Sequence, residues 1–388
     1  MPEPQQAQRP GRLDAFGPTV FAEMSALALQ TGSINLGQGF PDTDGPDFVL
    51  EAAVEAIRTG HGNQYPPGPG IPELRAAVAQ HQRAYYELDF DPATDVLITV
   101  GATEAIAAAV LGLTQPGDEV VTFEPYYDSY TACIALAGAQ RRVVTLQPAD
   151  GRWSFDPAEL RAAITDRTRL ILLNSPHNPT GTVFTAAELA VIAECAKERD
   201  LIVVTDEVYE HLVFDGSHIP LATLPDMAER TLTISSAGKT FAVTGWKVGW
   251  ICGPAGLIGQ VRAVKQFLTY VGSGPFQYAI AEGLRVGADY YPCLAEDLRV
   301  KRDLLTKGLV EQGYSTFVPQ ATYFATIDVG HDAEAWCRAL PEKVGVVAIP
   351  SSVFYDSDID RYVRFAFCKR PAVLAEALSR LENLPPRW

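Results

Sequence analysis

No run of the 388 residues approaches the roughly 20 apolar positions of a membrane span, and the opening MPEPQQAQRPGRLD lacks the apolar core of a secretory signal. These absences predict a soluble protein of the cytoplasm. The chain also has no basic run and no arginine cluster. With a formal net charge of −16, it is poorly suited to nucleic acid or an anionic membrane as a main partner. Cysteines are few, at positions 133, 195, 252, 293, 337 and 368. They form no CxxC and no Cys/His ligand spacing, so neither a disulfide framework nor a metal site is implied, and they read as small core hydrophobes. Internal repeats and low-complexity tracts are missing too, and the Pro/Gly-rich loop YPPGPGIPE is too short to link domains.

What is present is enough apolar material, 47% of residues, for about two domains of roughly 100–200 residues each. The segment up to Ala15 is polar and proline-containing and reads as a mobile arm. From Val96 onward, short apolar runs (VLITV, VVTF, RVVTL, LILLN, LIVVT, TLTIS, VGWIC) alternate with alanine-rich stretches of helical period such as Thr103 to Leu113 and Ala186 to Glu198. That alternation predicts an α/β domain whose mainly parallel sheet is covered on both faces. Beyond about Glu282 the texture changes. A charged helix from Tyr290 to Gln312, candidate strands in TYFATIDV, KVGVVAIP and YVRFAF, and a final helix from Ala372 predict a smaller α+β domain.

In open α/β sheets ligands sit beyond the carboxyl ends of the strands, so the residues after each apolar run carry the information. VLITV is followed by Gly101, Ala102 and Thr103 at a helix start, which suits an anion and equally suits an ordinary turn with Thr103 as N-cap. VVTF is followed by EPYYDSY, with Tyr126, Tyr127 and Tyr130 near one rim as stacking faces or as core. LILLN is followed by SPHNPTG, where Asn178 stands between two prolines that fix the backbone. After LIVVT comes Asp206, a carboxylate costly to bury without a cation. TLTIS runs into SSAGKTFAVTGWKVGW, which holds Ser236 and two lysines, Lys239 and Lys247, in an apolar setting where an ammonium group needs a partner or a covalent bond. An anion cradle, a stacking ring, a carboxylate, amide and phenol donors, and a lysine together match the needs of pyridoxal 5'-phosphate.

GATEA, SPHNPTG, TDEVYE, SSAGKTFAVTGWKVGW and YVRFAF, in that order, resemble the class I/II aminotransferases of fold type I, over nearly the whole chain from Val20. The resemblance implies a large domain at 46–282 with a mainly parallel seven-stranded sheet, and a smaller α+β domain formed by 16–45 with 283–388. It implies that Lys239 carries the cofactor as an imine, that Asp206 pairs with the pyridine nitrogen, and that Tyr209 and Asn178 hold the phenolic oxygen. Tyr127 would stack on the ring. The phosphate would meet the backbone of Gly101 and Ala102, with Thr103, Ser236 and Lys247, and Tyr65 would reach in from the partner subunit of a homodimer. Arg364 would grip the substrate α-carboxylate, assisted by Asn178 and the backbone of Gly39. Many relatives have arginine where Lys247 stands, and lysine keeps the charge without the planar fork. The implied reaction moves an amino group between an amino acid and a 2-oxo acid by ping-pong kinetics, with Lys239 as general base and then acid.

For the substrate, VFAEMSALA, NLGQGFPDTDGP, TDEVYEHLVFD, KQFLTYVGSGPFQ and ALPEKVGVVAIP are most similar to the actinobacterial type of N-succinyldiaminopimelate aminotransferase, a group of lysine biosynthesis. The kynurenine and glutamine aminotransferases that double as cysteine S-conjugate β-lyases are the next branch. Where they carry a pocket tryptophan and a tyrosine after the cradle glycine, this chain has Phe21 and Ala102, which leaves a roomier pocket.

Overall fold

A computed structural model describes residues 11–14, 16–17, 19–149, 151–287, 289–382 and 384. All seven apolar runs become strands of one sheet: β1 (Val96–Val100), β2 (Glu119–Glu124), β3 (Gln140–Thr145), β4 (Thr168–Asn174), β5 (Ile202–Asp206), β6 (Thr231–Ser236) and β7 (Val248–Cys252). Their spatial order is β1-β7-β6-β5-β4-β2-β3. The pairs from β6 across to β3 are parallel, and β7 runs antiparallel to both of its neighbours. Successive side chains point to opposite faces. Val203 of β5 therefore enters a core with Ile171, Phe184 and Ile192, while Val204 enters another with Leu172, Ala105 and Ile134. Two buried faces, each Val or Leu worth about 1.5–3 kcal/mol, fix the register, because a one-residue slip would exchange the faces. The outer strand β3 begins with exposed Gln140, Arg141 and Arg142, and the two charges blunt an open edge.

Helices cover the sheet where the sequence supplies starts and stops. Thr185 and Glu188 form a capping box, with Thr185 Oγ1 accepting from Glu188 N at 3.2 Å and Glu188 Oε2 from Thr185 N at 2.8 Å. The long helix Tyr290–Glu311 exposes i,i+3 and i,i+4 ion pairs such as Lys301–Asp297. No helix of the described residues is long and apolar enough to cross a membrane.

A second sheet contains β8 (Ser315–Phe317), β9 (Phe324–Asp328), β10 (Ile349–Pro350) and β11 (Tyr362–Ala366), all antiparallel, in the order β8-β9-β11-β10. Here the structure corrects the expected strand KVGVVAIP. The helix Ala333–Val344 runs into it and stops at Gly345 in the left-handed region, φ 68°. Val346 and Val347 then pair in parallel with Ile34 and Asn35, and only Ile349 and Pro350 join the second sheet. Met24 and Leu36 from the N-terminal segment share one core with Ile327, Val347 and Phe365.

Two other expectations change. Most of the arm lies outside the described residues, but residues 11–14 form a turn and Arg12 Nη1 donates to the Leu136 carbonyl, so this part is not free. Five cysteines are buried as expected, whereas Cys293 is exposed on the long helix.

Candidate active site

The carboxyl ends of β1, β2, β4, β5 and β6 open on one cavity of about 420 Å³. Because β7 is antiparallel, the residue that reaches this rim is the one before it, Lys247. Of the residues singled out in the sequence, Phe21, Gly39, Gly101, Ala102, Thr103, Tyr127, Asn178, Asp206, Tyr209, Ser236, Lys239, Lys247 and Arg364 all line the cavity. Tyr65 does not. It is 83% exposed in the single chain, with its ring 5.7 Å from that of Tyr270.

At one end Gly101 sits at φ 71°, and a Cβ there would crowd Lys247 Nζ at 3.1 Å. Lys247 Nζ lies 3.4 Å from Thr103 Oγ1. The helix begins at Gly101 with Val100 as its N-cap, so Thr103 is inside the first turn and is not the cap. Glu104 Oε2 instead accepts from Val100 N at 2.6 Å. An open helix start, a small residue and an ammonium group on one spot suit a phosphate. Lys247 is exposed in the single chain, not half-buried as its apolar surroundings suggested.

In the middle, Asp206 is buried at the end of β5. Tyr130 Oη donates to its Oδ2 at 2.6 Å, and Val208 N lies 3.4 Å from its Oδ1. Burial pushes the carboxyl up to about 6, against the pull of those donors. Tyr127, half-buried, meets Tyr130 edge-on with centroids 5.8 Å apart, and burial raises its phenol to about 12. Lys239 Nζ lies 5.7 Å from the Tyr209 ring centroid and 5.6 Å from that of Tyr323. Burial lowers its ammonium to about 8, which favours the neutral amine a nucleophile or base must have. A cationic pyridine bearing a phosphate thus finds a carboxylate without a bonded cation, an aromatic face, an anion cradle and an activated amine.

At the far wall Arg364, on β11, is only 2% exposed. Its Nη1 donates to Asn178 Oδ1 and its Nη2 to the Gly37 carbonyl, each at 2.9 Å, while its buried Nε has no hydrogen-bond partner among the described residues. The guanidinium packs 4.0 Å from the Phe324 centroid, 4.9 Å from Phe354 and 5.3 Å from Phe21. Burial lowers its pKa to about 10, still charged at neutral pH. Gly39 contributes through its carbonyl, which accepts from Tyr323 Oη at 2.6 Å. A Cβ at Gly39 would clash with the Phe324 ring at 2.5 Å.

Several residues escaped the sequence reading. Tyr130 grips Asp206, and Asn174 anchors the turn after β4, with Nδ2 on the Asp206 carbonyl at 2.8 Å and Oδ1 accepting from Asn178 N at 2.7 Å. Both stood in the quoted runs, but the Asp206 that each of them holds is 76 and 32 positions away. Also unforeseen is a buried group away from the cavity. His81 Nε2 and His211 Nε2 share a 2.6 Å hydrogen bond beside Glu210, and burial lowers both imidazoles.

Comparison with known proteins gives consistent relatives. The family model "Aminotransferase class I and II" matches residues 31–381. A probable N-succinyldiaminopimelate aminotransferase, DapC, of Mycobacterium tuberculosis is 54% identical over 97% of this chain and 98% of its own. A methionine aminotransferase of Escherichia coli is 39% identical over 96% and 97%. The solved structure of an N-succinyldiaminopimelate aminotransferase from M. tuberculosis superposes with a TM-score of 0.94, covering 97% of this chain and 99% of that one.

Proposed function

The chain belongs to the class I and II aminotransferases, and from that premise we propose that it moves an amino group between glutamate and the 2-oxo acid partner of N-succinyl-LL-2,6-diaminopimelate, with 2-oxoglutarate as the other keto acid, in lysine biosynthesis in the cytoplasm. The observation that carries the amino-transfer chemistry is the meeting of Lys239, Asp206 and Arg364 around one cavity. The substrate assignment rests on the identity of 54% to the mycobacterial relative.

Pyridoxal 5'-phosphate is the cofactor that this donor set fits. Its phosphate would be held by Gly101, Ala102, Thr103, Ser236 and Lys247, with Tyr65 of a second copy. Tyr127 would cover the ring, Asp206 would hold its nitrogen, Asn178 and Tyr209 its phenolic oxygen, and Lys239 its carbonyl carbon. Once bound, the cofactor supplies a carbon that exchanges the amino group and a protonated ring that draws electrons from the substrate Cα. The chain's residues do the rest. Arg364 meets the α-carboxylate with paired N–H donors and sets the direction of the Cα–H bond. Lys239, poised near 8, takes that proton and later returns one. Asp206 would stay ionised there because a ring cation would face it.

The division into 46–282 and 16–45 with 283–388 belongs to the same reading. It puts Lys239 and Asp206 on one part and Arg364 and Phe21 on the other. A homodimer is supported by exposed Tyr65 (83%), Phe267 (85%) and Tyr270 (49%), apolar groups better covered than wet.

One observation favours a second reading, a methionine, glutamine or kynurenine aminotransferase with cysteine S-conjugate β-lyase activity. Among the described residues of the cavity lining, the cations are Lys239, Lys247 and Arg364, all assigned above, so none is left for a succinyl carboxylate. The test is a half-reaction screen. The holoenzyme is mixed with N-succinyldiaminopimelate, glutamate, methionine, glutamine and kynurenine, and loss of the imine absorbance is followed. N-succinyldiaminopimelate should react at least about tenfold faster than methionine, and the reverse ranking would select the second reading.

A further inference from the structure

Glu124 ends β2, just before the stretch that carries Tyr126, Tyr127 and Tyr130, and is 2% exposed. No cation pairs with it among the described contacts. Instead its two oxygens collect four donors. Oε1 accepts from Ser357 Oγ at 2.7 Å and Thr145 Oγ1 at 2.9 Å, and Oε2 accepts from Asp356 N at 2.6 Å and Ser357 N at 3.3 Å. Asp356 in turn accepts from Tyr126 Oη at 2.5 Å and Arg141 Nη2 at 2.8 Å through Oδ1, and from Arg141 Nε through Oδ2. The Tyr126 amide donates to the Phe354 carbonyl at 2.9 Å. One wall of the cavity is thus bonded to the segment 351–357 of the other, more than 220 residues later.

That segment presents Phe354, fully buried, whose ring lies against the Arg364 guanidinium and 5.8 Å from the ring of Phe21. Mere adhesion between two walls is achieved at lower desolvation cost by apolar side chains. Directional donors on a buried carboxylate add something different, a fixed distance. We propose that Glu124 and Asp356 are positioning residues that set the gap between the Tyr127–Asp206 wall and the Arg364 grip, so that a carboxylate held by Arg364 lies over the ring site. The inference rests on the reading of Arg364 as the carboxylate grip.

The test compares holoenzymes of Glu124→Ala, Glu124→Gln, Asp356→Ala and Arg364→Lys. Glutamine can turn its oxygen to the two backbone N–H groups and its amide to the two hydroxyls, so it keeps the bonding pattern. Glu124→Ala and Asp356→Ala should raise KM for donor and acceptor by about tenfold, with kcat within about threefold of wild type and unchanged cofactor absorbance and retention. Glu124→Gln should recover most of the loss. Wild-type KM in both alanine variants overturns the proposal, as does a fall of kcat and cofactor retention in step with KM, the signature of general damage. If Glu124→Ala does not fold, Asp356→Ala decides alone, since that side chain is 31% exposed. An Arg364→Lys enzyme with normal KM would refute the reading of Arg364 itself. Impaired Arg364→Lys beside normal Glu124→Ala and Asp356→Ala enzymes would refute the positioning role only.

Discussion

Replacing Asp206 by asparagine should make the cofactor-free protein more stable at neutral pH while abolishing turnover. Burial raises this carboxyl from 3.8 to about 6, and at 1.36 kcal/mol per unit the ionised form costs about 3 kcal/mol of folding free energy. The folded pKa lies above the unfolded one, so the folded chain binds the proton more tightly between those values. The cost is therefore absent in acid, grows as pH rises from about 4 to 6, and is complete above. Asparagine has the same size, keeps an acceptor for Tyr130, and carries no charge. Lys239 loses a neighbouring carboxylate in the variant, which makes 3 kcal/mol a ceiling. Urea unfolding of both apoproteins at pH 7.5 should show the variant about 1–3 kcal/mol more stable, with the gap closing toward pH 4. Equal stability at pH 7.5, or a gap that ignores pH, would refute the argument. Saturating cofactor should reverse the order, because only the carboxylate answers a ring cation.

Arg364→Lys should lower kcat/KM by about a hundredfold or more for every donor and acceptor while leaving the imine absorbance intact, because the charge stays and the planar fork goes; steady-state kinetics in both directions would expose an error if only one substrate class suffered. Tyr130→Phe removes the 2.6 Å donor to Asp206. It should raise that carboxyl further and move the acid limb of cofactor retention to higher pH by about one to two units, and an unmoved limb in a dialysis series would count against it. Tyr65→Phe should speed cofactor loss by about tenfold or more, and sedimentation should find active enzyme only as a dimer; a fully active monomer would contradict the shared site. Borohydride reduction should fix the cofactor on Lys239 alone, and peptide mapping that finds the label elsewhere would remove this lysine from the chemistry.

The large sheet is readable because its strands are short, six of the seven are mostly buried on both sides, and five of them are followed by the residues that line the cavity. Asp206 after LIVVT and Ser236 within TLTISS needed nothing more than the rule about strand ends. The second sheet was less readable. VGVVAIP looks like one strand, yet its two halves pair with different partners, a choice made by tertiary packing that no periodicity records. Supporting contacts were hidden for a similar reason. Tyr130 and Asp206 are 76 positions apart, and Tyr323 and Gly39 are 284 apart. His81 sits on an ordinary helical face and shows its partner, His211, only once the helix Pro72–Tyr86 packs against β1.

The bonds between the N-terminal segment and the end of the chain have a consequence for biosynthesis. Ile34 pairs with Val346, the Leu36 carbonyl accepts from Ala366 N at 2.6 Å, and the Gly37 carbonyl accepts from Arg364. The segment around Ile34 thus waits for partners that leave the ribosome some 310 residues later, and loop closure over that length cannot be hastened by local propensity. Sheet β1–β7 needs nothing beyond Cys252 for its own pairing. A growing chain can therefore complete the cradle, Asp206 and Lys239 well before any carboxylate grip exists, so cofactor capture can precede substrate competence during synthesis.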